Sequence, residues 1–213
     1  MPARNSVKTY LEDSYYHIYN RGVAKQQIFH DKQDYSVFLS YLKVYLTSQE
    51  NIIPKKKLKN YTNEITLLSY CLMPNHFHLL IKQKSSNSIN QFMQSLCTKY
   101  TIYYNAKYKR VGPLFQGRYK AVLVETDEQL LHLSRYIHQN QISTRYDLVT
   151  RSDLTLETDY SSRKNYIGNV KQEWVKTDVI LNHFSTKNQF NSYKAFMGEK
   201  FSDLSPIAKV ILD

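Results

Sequence analysis

The chain has 213 residues, with 29 Lys and Arg against 18 Asp and Glu, a formal net charge of +11 and a pI near 9.4. This length supports one sizeable core with a small appendage rather than two full-sized domains. The positive charge favours a polyanionic partner, with nucleic acid the first candidate. No stretch is long and apolar enough to cross a bilayer, and the first 20 residues lack the apolar segment of a secretory signal. We therefore expect a soluble, cytoplasmic protein with no membrane partner.

The first half of the chain predicts a strand, a helix and a hairpin. Residues 14–20 are aromatic and β-favouring and end at an Arg-Gly turn, which indicates a strand. From Asp34, an expected N-cap, apolar residues recur every three or four positions up to Leu46, as on one face of a helix. Residues 54–60 carry four lysines and predict an exposed loop. Residues 65–72 and 76–82 then predict two strands joined by a turn at 73–75.

The second half predicts a helix, a strand and another helix. Ser88 and Gln91 form a capping-box pattern before a helix that runs to about residue 108. A basic loop at 109–118 leads into a strand at 119–125, and Thr126 and Gln129 cap a helix that runs to about residue 140.

The order of these elements predicts an α+β fold with a ferredoxin-like antiparallel sheet, the split βαβ pattern, and one added helix. We divide the chain into a main domain at residues 1–145 and a carboxy-terminal extension at 146–213. Residues 176–184 and 189–197 predict short helices in that extension.

The motif His76-Phe77-His78 lies on a predicted strand. Because side chains alternate along a strand, both imidazoles project from one face and Phe77 projects from the other. Neutral imidazole is a common donor to divalent metals, so the pair predicts two ligands on one surface. The alternative is two packed or hydrogen-bonded structural histidines.

The last predicted helix adds two polar residues beside its apolar spine of Leu130, Leu133 and Ile137. At about 100° per residue, Tyr136 and Asn140 lie side by side at one margin of that spine. A phenol can act as a nucleophile and an amide oxygen as a metal ligand. The alternative for Asn140 is a residue that only caps the last turn of the helix.

Four segments of the chain, in order, resemble a known family: residues 16–22, 73–79, 112–120 and 135–140. They are similar to the insertion-sequence-200-like single-tyrosine HUH transposases, and most of all to the REP-associated tyrosine transposase branch. The resemblance covers roughly residues 14–145 and is much more specific than the two histidines alone. It implies a ferredoxin-like sheet, in agreement with the order of elements.

The resemblance also implies roles for individual residues. His76 and His78 match the metal-binding histidines, Tyr136 the catalytic tyrosine and Asn140 a further metal ligand, with Mg²⁺ or Mn²⁺ as the cofactor. Members of the family cleave single-stranded DNA beside hairpins that form imperfect palindromes. They leave a 5′-phosphotyrosine and a 3′ hydroxyl that can attack another such link. Some members act as homodimers that complete each site in trans and others as monomers, and the sequence leaves both arrangements open.

Basic and aromatic residues around the loop at 109–118 are candidates for DNA contacts. Arg118 is the first choice for a phosphate contact. The full set of DNA-binding candidates is Arg118, Lys120, Lys109, Arg110, Tyr119 and Arg21. The alternative is that the cations are solvated or form ion pairs.

Three functions therefore compete. The first is a transposase-like endonuclease and strand transferase with a tyrosine nucleophile. The second is a non-catalytic module that binds single-stranded nucleic acid on a ferredoxin-like sheet. The third is a metal-dependent nuclease that uses activated water.

Overall fold

The computed structural model describes residues 10–48, 59–148, 160–168, 170–188, 191–198 and 205–208, with the backbone alone for 141–148. The main elements are β1 (Tyr15–Arg21), α1 (Lys32–Leu46), β2 (Ile65–Met73), β3 (His76–Gln83), α2 (Ser88–Tyr108), β4 (Lys120–Val124) and α3 (Asp127–Leu148). The strands form one antiparallel sheet in the order β2-β3-β1-β4. This arrangement confirms the predicted α+β, ferredoxin-like fold.

The sheet separates two hydrophobic cores because side chains alternate between its faces. On one face, residues such as Ile18 and Phe77 pack against α1 and α2 in the larger core. On the other face, Leu80 and Val124 pack against α3 in the smaller core, which is supplied by Leu130, Leu133 and Ile137. The apolar spine predicted for the last helix therefore forms a core of its own.

The pairing of β1 with its two neighbours determines which side chains share the α3 face. Tyr19 lies opposite His78 of β3 on one side and opposite Lys120 of β4 on the other. Arg21 lies opposite His76. Cross-strand partners project from the same face, so these five residues form one group at the end of the central strands.

The start of α1 differs from the prediction. The helix begins at Lys32, and its N-cap is Asp31, whose carboxylate accepts a hydrogen bond from the Asp34 amide at 3.1 Å. Asp34 is instead fully buried in the first turn, where it accepts hydrogen bonds from other elements. Two acidic residues three positions apart both suit a helix start, and tertiary contacts decide between them.

The two predicted capping boxes have opposite outcomes. The box at Ser88 is wrong, since the N-cap of α2 is Asn87 and the Ser88 hydroxyl bonds to Glu64 at 2.7 Å. At α3, Thr126 accepts a hydrogen bond from the Gln129 amide at 3.1 Å, which confirms the predicted cap. The Gln129 side chain accepts from the Glu125 amide at 2.8 Å.

Helix α3 continues to Leu148, eight residues beyond its predicted end, and it crosses the proposed domain boundary at residue 145. That division of the chain remains a prediction. The extension contains α4 (Arg163–Tyr166), α5 (Asp178–Leu181) and α6 (Tyr193–Gly198). Helix α5 is shorter than the predicted helix at 176–184, and α6 overlaps the predicted helix at 189–197, whose first two residues lie outside the described ranges.

The first part of the extension lies along the outer edge of β2. Short bridges join Cys71 to Ser161 and Leu67 to Val175. Of the lysine-rich segment at 54–60, residues 54–58 lie outside the described residues. None of the helices in the described part of the chain is both long and apolar enough to span a membrane.

Candidate active site

Strand β3 presents the two histidines as the alternation predicts. Phe77 is fully buried in the larger core, whereas His76 and His78 project from the α3 face. Their ring centroids are 4.9 Å apart, with the planes nearly perpendicular. His78 is buried and His76 is half-buried at the start of the strand.

His78 is held by a third histidine, His17 of β1. Nδ1 of His78 lies 2.8 Å from Nε2 of His17, within hydrogen-bond distance. Nε2 of His78 is buried and has no hydrogen-bond partner among the described residues. Burial lowers the pKa of His78 well below its usual value, and the neighbouring His17 and His76 lower it further. The imidazole is therefore neutral at pH 7, the form that ligates metals.

His76 is oriented by the turn that precedes it. Its Nδ1 lies 2.6 Å from the side-chain oxygen of Asn75. The Asn75 amide group in turn donates to the carbonyl of Lys25, at 3.4 Å, and the Asn75 carbonyl accepts from the Gly22 amide at 2.9 Å. The turn between β2 and β3 is thus fastened to the segment that follows β1.

Tyr136 approaches the histidines from α3 of the same chain. Its half-buried ring lies 5.8 Å from the His78 ring and 6.5 Å from the His17 ring, edge-on in both cases. Asn140 follows one turn later on the same side of the helix and is also half-buried. Because α3 runs on to Leu148, Asn140 lies inside the helix and does not cap its last turn.

Two residues beside the site were not singled out from the sequence, His17 and Tyr19. The Tyr19 ring lies 5.0 Å from that of His17 and 5.9 Å from that of His78. Both residues occupy alternate positions of β1, and in the predicted fold β1 adjoins β3. That pairing, taken with the strand alternation, was the signal that could have identified them.

The donors at the site suit a divalent metal, although the acidic and thiol ligands of many metal sites are missing. Within the described ranges, no group of three or more His, Cys, Asp and Glu side chains could hold a metal ion. The candidate set is two imidazoles and the amide of Asn140, a combination that leaves coordination positions for water and a phosphate oxygen. The buried, unpartnered Nε2 of His78 fits this set, since a buried acceptor without a partner is costly.

The DNA-binding candidates lie in different parts of the structure. Arg21 and Lys120 belong to the group at the end of the central strands, and Arg21 donates to Gln116 at 2.6 Å. Arg118 is exposed in the loop that precedes β4. Lys109 is exposed at the end of α2, and Arg110 lies over the ring of Tyr104 at 5.6 Å, on the α1 and α2 side of the sheet.

Tyr119 does not present its ring for stacking on bases. It is buried in the larger core, and its hydroxyl lies 2.5 Å from that of Tyr10. Phe115 is also buried in that core. The aromatic surface beside the histidines is supplied by Tyr19 instead.

The sequence model of the family described as Transposase IS200 like matches residues 10–140, more than half of the chain. The chain belongs to this family. The matched region of this IS200-like transposase contains β1, β3, the loop before β4 and α3 as far as Asn140. No curated protein matches the chain significantly.

Three solved structures are similar to this IS200-like transposase at low identity. A REP-associated tyrosine transposase bound to a REP hairpin has 9% identity and a TM-score of 0.45, over 65% of this chain and 72% of that one. A protein of Deinococcus radiodurans assigned as a transposase has 17% identity and a TM-score of 0.39, over 66% and 98%. A bacterial tRNA(His) guanylyltransferase-like protein in complex with GTP has 11% identity and a TM-score of 0.46, over 70% and 71%. The family assignment rests on the sequence match alone.

Proposed function

We propose that this IS200-like transposase cleaves single-stranded DNA beside a hairpin and rejoins it, with Tyr136 as the nucleophile. His76, His78 and Asn140 would hold the metal, Mg²⁺ or Mn²⁺. The observation that carries the proposal is the position of Tyr136, whose ring lies 5.8 Å from that of a buried, neutral histidine with an unpartnered Nε2. A purely structural histidine would have both ring nitrogens satisfied.

The proposed reaction is an exchange of one phosphodiester for another. The Tyr136 hydroxyl oxygen forms a bond to phosphorus, and the bond from phosphorus to the 3′ oxygen breaks. The tyrosine hydroxyl loses one proton and the leaving 3′ oxygen gains one, so no net proton is released. The products are a 5′-phosphotyrosine and a strand with a 3′ hydroxyl. The linkage is kept as a phosphodiester, so attack by another 3′ hydroxyl can rejoin DNA.

The chain supplies orientation and charge for this step. The bound metal would polarise the scissile phosphate and offset charge on the attacking and leaving oxygens. Helix α3 brings Tyr136 edge-on to the histidines, and its half-buried position limits the rotamers of the phenol. Arg21 and Lys120 lie on the same face of the sheet and suit the DNA backbone on either side.

All the proposed catalytic side chains belong to one chain. Tyr136 of α3 lies edge-on to His78 of the same molecule, which supports a site formed within one monomer. We therefore propose a site that works in cis, although the family also includes homodimers. The substrate class, a single strand with a hairpin or imperfect palindrome, follows from the family resemblance.

A covalent-adduct assay tests the proposal. The protein is mixed with Mn²⁺ and a hairpin-flanked single strand that is labelled on the 3′ side of the cleavage site, and the label is followed on a denaturing gel. The wild-type protein is expected to carry the label, because the 5′ phosphate of that fragment becomes linked to Tyr136. Tyr136→Phe is expected to carry none.

The matched control is Tyr41→Phe, a tyrosine of α1 on the far side of the sheet, which should leave the adduct unchanged. Retained cleavage in Tyr136→Phe with unlinked ends would instead indicate a nuclease that uses water. DNA binding by the wild-type protein without any adduct, insensitive to His78→Ala and to chelator, would indicate a non-catalytic module. Either result overturns the proposal.

A further inference from the structure

A chain of buried hydrogen bonds joins the carboxy-terminal extension to α3, on the side of the helix opposite Tyr136. Its members are Ser134 and His138 of α3 and Ser162 and Tyr193 of the extension, all fully or almost fully buried. Ser134 and His138 are one turn apart, and each lies about half a helical turn around from Tyr136. These hydrogen bonds therefore hold α3 on the side opposite Tyr136.

The distances allow every group in this chain to be satisfied at once. The Tyr70 amide of β2 donates to the Ser162 hydroxyl at 2.9 Å, and that hydroxyl lies 2.8 Å from Nε2 of His138. Nδ1 of His138 lies 2.8 Å from the Tyr193 hydroxyl, which is 3.0 Å from the hydroxyl of Ser134.

The Ser134 hydroxyl donates to the carbonyl of Leu131 at 2.7 Å, and the network of hydrogen bonds ends there. With Ser162 donating to Nε2 of His138 and Nδ1 donating to Tyr193, each donor has an acceptor. A buried polar network that is fully satisfied in this way specifies one arrangement of its elements.

Helix α6 adds contacts along the neighbouring side of α3. Arg135 donates to the Phe196 carbonyl at 3.1 Å and its guanidinium lies 4.2 Å from the centre of the Phe196 ring. Gln139 donates to the Met197 carbonyl at 2.9 Å. These contacts cover one full turn of α3, and Tyr136 lies within that turn.

The extension is itself fastened to the sheet, so it can transmit a fixed position to α3. The Ser162 amide donates to the carbonyl of Tyr70 at 3.0 Å, and the Leu72 amide donates to the carbonyl of Tyr160 at 3.0 Å. The Tyr166 hydroxyl donates to the carbonyl of Leu68 at 2.8 Å. The extension thus joins β2 to the side of α3 opposite Tyr136, beside the apolar spine that packs against the sheet.

We propose that the carboxy-terminal extension is a brace for the catalytic helix and that Tyr193 is a positioning residue, whose hydroxyl fixes the rotation of α3 and hence the approach of Tyr136 to His78. An apolar spine alone resists rotation weakly, because hydrophobic contact has no preferred direction. Directed hydrogen bonds beside the spine, on the side of α3 opposite Tyr136, supply the missing angular constraint. The catalytic part of this inference rests on the proposed function, whereas the mechanical part does not.

The test compares two substitutions that each remove one buried hydroxyl from the extension. Tyr193→Phe removes a hydroxyl that bonds to α3. Tyr166→Phe, the matched control, removes one that bonds only to β2. Hydrogen exchange of the amides at 130–140 and the rate of adduct formation at saturating Mn²⁺ and DNA are measured for both full-length proteins.

In Tyr193→Phe, the amides at 130–140 should exchange about tenfold faster, because His138 loses its partner. Adduct formation should slow by roughly ten- to a hundredfold, since small misplacements of reacting groups have effects of that size. Tyr166→Phe should change neither quantity, because the bonds of Tyr160 and Ser162 to β2 still hold the extension in place. Wild-type protection of α3 in Tyr193→Phe, or faster exchange with an unchanged rate, would overturn the proposal. If the wild-type protein forms no adduct, the proposed function fails and the exchange measurement still decides whether the brace exists.

Discussion

Nε2 of His17 and Nδ1 of His78 lie 2.8 Å apart between the two central strands, and both rings are fully or almost fully buried. When Nδ1 of His78 donates to His17, the proton is fixed on that nitrogen and the lone pair of Nε2 points away from β1. Metal-binding histidines commonly donate their second ring N–H to such a partner, which sets the tautomer and the ring orientation. His17 is therefore placed to set the tautomer of His78, as a partner of the proposed metal ligand would.

The first prediction concerns the affinity for Mn²⁺. His17→Ala is expected to weaken Mn²⁺ binding by about 10- to 100-fold, the usual effect of removing such a partner. His17→Gln should restore part of the affinity, because its side-chain oxygen can accept from Nδ1. Isothermal titration calorimetry measures both, with His183→Ala, an exposed histidine of the extension, as the control. An unchanged dissociation constant in His17→Ala would show that His78 needs no such partner.

The second prediction concerns DNA binding by Arg118 and Lys120. Arg118→Gln and Lys120→Gln should each weaken binding of a hairpin-flanked single strand and reduce the salt slope of the binding constant by about 1, as loss of one phosphate contact does. Fluorescence anisotropy over a series of salt concentrations measures both slopes. Lys43→Gln, an exposed lysine of α1 on the far face, should bind as the wild-type protein does. Equal slopes in all three variants would place the DNA elsewhere.

The third prediction concerns Asp34, which joins the start of α1 to the end of α2. Its carboxylate accepts hydrogen bonds from the His30 amide at 2.8 Å, from Lys107 at 2.7 Å, and from the hydroxyls of Tyr103 and Tyr108 at 2.9 and 2.7 Å. Burial alone would raise the pKa of Asp34, but the hydrogen bonds outweigh burial and hold the pKa below its usual value. The ionised form is therefore favoured in the folded protein.

The sign of the pH effect follows from that shift. The folded pKa of Asp34 lies below the unfolded value near 3.9, so the ion contributes stability above that pH and loses it as the pH falls through the folded pKa. Asp34→Ala should lower the free energy of unfolding by about 3 kcal/mol at pH 7, since it removes the shared acceptor of the His30 amide, two tyrosine hydroxyls and half-buried Lys107. The difference should shrink in acid. Urea unfolding at several pH values measures it, and exposed Asp178→Ala is the control. A difference that stays constant down to acid pH would contradict this account.

The fourth prediction concerns Gly22, which follows β1. A Cβ there would overlap the carbonyl oxygen of Gln26, so this glycine is required by a close approach of the backbone rather than by its dihedral angles. Gly22→Ala should lower the free energy of unfolding by roughly 2 kcal/mol, the usual cost of overpacking. It should also disturb His76, because the Gly22 amide bonds to Asn75. Gly198→Ala, which meets nothing within 4 Å, should fold normally. Equal unfolding midpoints for Gly22→Ala and the wild-type protein would show that the turn adjusts to the added methyl group.

The parts of the site that follow from local periodicity could be predicted from the sequence. Alternation on a strand places His76 and His78 together, and helix periodicity places Tyr136 beside Asn140. Contacts between residues that are far apart in the chain leave no periodic pattern in the sequence. His17 meets His78 across 61 positions and His138 meets Tyr193 across 55, so neither contact could be read from spacing.

The boundaries of the elements were less predictable, for a related reason. Asp31 and Asp34 are both good N-caps by residue type, and the buried network around Asp34 decides between them. The sequence predicts that α3 ends near Asn140, because the residues after Asn140 are mostly polar and the apolar pattern weakens there. Tyr119 looked like a surface aromatic beside basic residues, and only the packing against Tyr10 shows that it is internal.

The contacts along the outer edge of β2 also bear on how the molecule avoids binding to copies of itself. An edge strand offers unpaired amides and carbonyls to any other strand, and β2 is both long and largely buried on its faces. Ser162 bonds to both the amide and the carbonyl of Tyr70, the Tyr160 carbonyl accepts from the Leu72 amide, and the Lys176 amide donates to the carbonyl of Leu67. A chain shortened to the family-matched region would expose this apolar edge, and its solubility would fall for that reason even with every proposed catalytic residue intact.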